Sequence, residues 1–133
     1  MKISARAIIE VAGFPKEHVD EIIKKVIEKL KEEREVVNAE LFETVALKDK
    51  MEGFYSAFTE LKLNLKDIDD LIRFCLEYMP SSIEIIEPEE MSLKTQELAV
   101  VLNDLLGKLH DYDMAIKNLQ ASNFLMKKKL GQV

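Results

Sequence analysis

Cysteine, histidine and glycine are sparse here: one, two and four residues respectively in a chain of 133. Cys75 stands alone, so no intrachain disulfide can form, and the reducing cytoplasm is the expected compartment. His18 and His110 have no second histidine or cysteine at ligand spacing, which excludes a local zinc motif. The glycines build no phosphate-cradling loop, and no Ser-His-Asp pattern is visible, so no catalytic residue can be singled out. No stretch approaches the roughly 20 apolar residues of a membrane span. The first residues, "MKISARAIIEVAGF", contain no long apolar run ending in a small-residue cleavage site, so no signal peptide is expected.

What is present is a large apolar fraction, 47%, beside 33% charged residues and a net charge of −6. The length and apolar content fit one domain with an appendage. The acidic balance argues against nucleic-acid and anionic-membrane partners, both of which favour a basic face. Lys and Glu dominate the charges and Gln is scarce, a balance resembling that of thermophile proteins.

Along the chain the hydrophobic period switches repeatedly. Ile3, Ala5, Ala7, Ile9 and Val11 alternate with polar residues, the period of a half-buried strand. "GFP" breaks it, and Val19, Ile22, Ile23, Val26, Ile27 and Leu30 then recur at helical spacing, predicting a helix over 15–33 that Pro15 opens. Residues 36–47 return to strand character, with Val37, Ala39, Leu41, Val45 and Leu47 expected on one face. A turn at 48–53 leads to the aromatic-rich strand 54–63. Asn64 or Asp67 caps a second helix whose stripe is Ile68, Leu71, Ile72, Cys75, Leu76 and Met79. Pro80 stops it, and "SIEIIE" reads as a last strand. The order β-α-β-β-α-β over residues 1–87 predicts a ferredoxin-like α+β sandwich, one sheet with two helices on one face.

After residue 88 the pattern changes to heptads. Leu98, Leu102, Leu105, Leu109, Tyr112, Ile116, Leu119, Asn123, Met126 and Leu130 follow one another at alternating spacings of four and three. That is an apolar seam with Leu102, Leu109, Ile116, Asn123 and Leu130 at a positions and the others at d. Met91 and Thr95 extend it backwards in phase, so "EPEEM" is expected to start the helix, with Glu89 and Glu90 in its acidic first turn. Two structures fit residues 88–130: one helix of roughly 60 Å at 1.5 Å per residue, or a hairpin broken near "GKLHDYD". The long uninterrupted period favours the single helix.

Candidate chemistry is thin. Glu84, Glu87, Glu89 and Glu90 could hold a hard cation, but Glu84 and Glu87 are expected on opposite strand faces and the other pair suits a helix start. "KDIDD" lacks the glycine and final glutamate of a calcium loop. Gly13 and Lys16 precede a helix and make a weak anion-site candidate. Cys75 falls on an apolar stripe and is expected to be a buried core residue. Phe42, Phe54, Tyr55 and Phe58 lack the basic neighbours of an RNA-stacking sheet, so core packing or sheet association is expected of them. No metal or cofactor is expected.

"DIDDLIRFCLEYMPSSIEIIEPEEM", residues 67–91, resembles the end of the C-terminal extension domain of WYL-type bacterial transcriptional regulators, where a leucine-rich helix leads into an "-EVLEP-" strand and a terminal helix. The resemblance implies a ferredoxin-like domain used in oligomer contacts and regulatory sensing. No helix-turn-helix or WYL core accompanies it, so DNA binding does not carry over. The expected function is non-catalytic assembly as a homodimer or higher oligomer through the helical seam, with a sheet edge as a further pairing surface. The alternative is a small-molecule-sensing domain with its ligand at the sheet or subunit interface. An enzyme using converging carboxylates ranks third.

Overall fold

The computed structural model describes residues 2–47 and 52–132. Strand β1 (Ile3–Gly13) is followed by α1 (Lys16–Glu33), β2 (Glu35–Leu41), a two-residue β3 (Val45–Ala46), β4 (Tyr55–Leu65), α2 (Ile68–Tyr78), β5 (Ser82–Glu87) and α3 (Thr95–Lys129). The sheet order is β2-β4-β1-β5, with β3 pairing β4 beside β2 and every neighbour antiparallel. Taking β2 and β3 as one interrupted strand, this is the ferredoxin-like arrangement that the element order predicts. The chain falls into two compact units, one ending at Met91 and one beginning at Ser92.

In the first unit, alternation sorts the sheet into a dry face and a wet face. Ile3, Ala5, Ala7 and Ile9 of β1 pair with Leu65, Leu63, Leu61 and Thr59 of β4, and all eight are buried. Ala57 of β4, Val19, Ile23 and Leu30 of α1, and Leu71 and Phe74 of α2 complete that core. On the opposite face Arg6 bonds Glu84 of β5 at 2.9 Å and reaches Glu60 of β4 at 3.6 Å. Charges there suit a sheet face turned towards water.

Four local expectations are corrected. A bulge between Val36 and Asn38 shifts the phase of β2, so Val36 and Ala39 pack on the core while Val37 is exposed. A second bulge, where β1 shifts register between Ser4 and Ala5, sets Glu84 and Glu87 opposite Arg6 and Ser4, two residues sharing a face. Helix α2 turns Leu71 and Phe74 inward, whereas Met79 is exposed as a left-handed cap (φ 47°) whose amide donates to the Cys75 carbonyl. Cys75 is half-buried against the core, and burial raises its thiol pKa. The expected turn is described only in part: Gly53 supplies a positive φ of 85°, and residues 48–51 lie outside the described residues.

The second unit is one helix; no hairpin forms near Gly107, which lies within α3. Its start is corrected by several residues. "EPEEM" is not helical; α3 begins at Thr95, and Lys94 is its N-cap. Glu89 and Glu90 are therefore exposed connector residues, and Met91 packs against the core of the first unit instead of opening the seam. Leu130 caps the helix C-terminus just beyond the last helical residue.

Candidate functional site

The seam lies on 35 helical residues, about 52 Å at 1.5 Å per residue. No residue of α3 is buried. Leu98, Leu102, Leu105, Leu109, Tyr112, Ile116, Leu119 and Met126 are all exposed, as are Asn123 and, at the cap, Leu130. They share one stripe because a seven-residue repeat nearly matches two helical turns. Val100 and Met114 at f positions, and Leu125 at c, put further exposed apolar area on other sides of the helix. Asp113 beside the seam is bonded to Lys117 at 2.8 Å. A row of exposed leucines on a regular helix can bury itself only against a complementary apolar surface.

The first unit carries a cleft of about 780 Å³ at the end of the sheet where α1 runs into β2 and β4 into α2. Arg34 lies in its wall with only 8% of its side chain exposed. Its Nε donates to Asp70 at 3.1 Å, and its guanidinium lies 5.7 Å and 5.9 Å from the ring centres of Phe74 and Tyr78. Asp70 also accepts from the Lys66 amide at 3.1 Å, and its own amide donates to Asp67, the α2 cap. Nη1 of Arg34 makes no hydrogen bond; it is sealed from solvent, and Glu33 lies 3.5 Å away. The aromatic faces and this carboxylate compensate the unbonded donor electrostatically. Elsewhere in the wall Lys2 meets Glu35 at 2.9 Å, a contact that, with Asn64, holds the Glu35 carboxyl below its ordinary pKa. The Arg34–Asp70 cluster locks α1 to α2.

Tyr78 closes the lock by donating to Glu33 at 2.7 Å. Burial, then the hydrogen bond and charge of Glu33, push its phenol pKa well above the ordinary value. A raised acid pKa favours the neutral form in the folded state, so its contribution to stability is complete below the unfolded phenol value of about 10 and is lost as pH rises through and beyond it. Tyr78→Phe is expected to melt below the parent at pH 8, and the gap between the two should close as the pH is raised past about 10. Melting curves followed by circular dichroism check this; a gap that is constant with pH would disconnect the phenol from the lock.

Gly13 ends β1 and Lys16 opens α1, where the His18 and Val19 amides already donate to the Pro15 carbonyl and Glu17 occupies the first turn. A side chain at Gly13 would make ordinary contact with Val19. Among the described residues no group of three His, Cys, Asp or Glu is placed to hold a metal ion, and no helix is long and apolar enough to cross a membrane. Phe54 stacks at a tilt on Phe14 at 4.9 Å, while Tyr55 packs on the core.

A family model matches residues 4–130, from the first strand to the end of α3. The chain belongs to the MJ0538 family. No curated protein and no solved structure matches it. The family match therefore spans both units of this MJ0538-family chain, seam included. Sequence reasoning missed the Arg34–Asp70 lock, because its partners lie 36 residues apart and Asp70 looks locally like a solvated first-turn carboxylate.

Proposed function

We propose that this MJ0538-family chain is a non-catalytic assembly protein that self-associates through α3. The observation that carries this reading is the exposed heptad seam on one uninterrupted helix. A leucine moved from water into such a seam contributes about 1.5–3 kcal/mol when fully buried, and the seam repeats this along its length. A second copy offers the complementary surface automatically, since the same stripe is present on it. Asn123 at an a position selects a two-stranded partner, at some cost in stability. Size-exclusion chromatography with light scattering on the full chain is expected to give twice the 15.3 kDa chain mass at micromolar concentration. A monomer there would sink the assembly reading.

The second reading is ligand sensing, supported by the size of the cleft and by the resemblance to the WYL-type extension domain. It ranks below assembly because Arg34, Asp70, Lys2 and Glu35 of the cleft are already engaged in ion pairs with one another. A ligand that binds only the native state raises the melting point. A thermal-shift screen with nucleotides, amino acids and divalent metals that moves nothing would remove this reading.

A further inference from the structure

Two copies of α3 could pair in either direction, and the seam is not symmetric between them. We infer that the helices run parallel and in register; this rests on the self-association proposed above. Asn123 is the only amide among the ten seam positions from Leu98 to Leu130. In a parallel pair each a position faces its own copy, so two Asn123 amides meet and can exchange donor and acceptor. In an antiparallel pair with overlapping seams, a positions face d positions. Asn123 would then lie against Leu105 of the second copy, a buried amide without an acceptor.

The residues flanking the seam favour the same direction. Parallel pairing sets each g position against the e position of the following heptad. Lys108 then faces the second copy's Asp113, and Val101 faces Leu106, one opposite-charge pair and one apolar pair. Asp113 already bonds Lys117 of its own helix at 2.8 Å, which places it between two cations. Antiparallel pairing instead brings Asp113 against its own copy, where like charges repel. Lys127, Lys128 and Lys129 oppose the parallel arrangement, but they are exposed at the helix end, where water and salt screen them.

The test is cysteine cross-linking of full-length chains under a mild thiol–disulfide buffer. Facing d positions of parallel helices come within disulfide reach. In the antiparallel alignment two copies of residue 126 are separated by about 36 Å at 1.5 Å per residue. Met126→Cys is expected to convert most of the chain to a covalent dimer, with peptide mapping placing the bond between the two engineered cysteines. The parent, which retains Cys75, is the control. A dimer by light scattering in which Met126→Cys does not cross-link to itself, but does cross-link to a separately made Leu102→Cys chain, would overturn the parallel inference and leave self-association standing. A monomer by light scattering would overturn both.

Discussion

Ile116→Glu is expected to dissociate the assembly, weakening self-association at least 100-fold while leaving each chain folded. In a single chain Ile116 is exposed, and glutamate is at least as good a helix former as isoleucine, so the substitution leaves the isolated helix intact. In a paired seam it occupies an a position near the middle, where two carboxylates would face one another without cations and lose their water. Stranding an unpaired charge in this way costs about 3–5 kcal/mol, and each 1.4 kcal/mol is about a tenfold change in dissociation constant. Met114→Glu is the matched control. It adds the same charge two residues away on an exposed f position, outside the seam, and is expected to leave the oligomer unchanged. Analytical ultracentrifugation of both variants over a range of concentrations makes the comparison. If the two behave alike, the seam is not the contact surface.

The second large effect concerns the lock between α1 and α2. Asp70→Ala removes the partner of the Arg34 Nε and leaves a guanidinium that is almost fully buried. Its Nη1 already lacks an acceptor, so the loss is not easily absorbed. Breaking a buried pair on one side costs about 3–5 kcal/mol. For a domain of this size, with roughly 4–8 °C per kcal/mol, the melting point should fall by more than 10 °C. Arg34→Met in the Asp70→Ala background keeps a long side chain on Phe74 and deletes the stranded charge, so the double variant should recover much of that loss. Urea denaturation of the parent, both single variants and the double variant measures the coupling. An Asp70→Ala chain melting within a few degrees of the parent would show the ion pair to be dispensable.

The two predictions sit on features of different legibility. The seam could be read directly, since a heptad repeat is a local property and α3 preserves it from Leu98 to Met126. The ferredoxin-like order was legible for a similar reason: β1 alternates cleanly and the Ile3-to-Ile9 face is the buried one. The errors came where one residue changes the phase. The bulge at Val36–Asn38 moves Val37 out to solvent, and no residue near it announces the bulge. Helix α2 offered two overlapping stripes at helical spacing. The choice of Leu71 and Phe74 over Ile72 and Met79 follows from packing on β1, β4 and Arg34. The start of α3 was misplaced because Pro88 and two glutamates imitate a helix N-terminus, while Met91 is drawn onto the core of the first unit.

Sequence alone determined the element order, the dry and wet faces of β1, and the uninterrupted period of the C-terminal helix. All three arise from periodicities of two or three-and-a-half residues, which neighbouring side chains record. Tertiary structure alone decided which side of α2 is buried, how the bulges reset β2 and β5, and that Arg34 and Asp70 meet. Those outcomes depend on contacts between distant segments, where the competition for one buried position is settled by shape and charge that no local window contains.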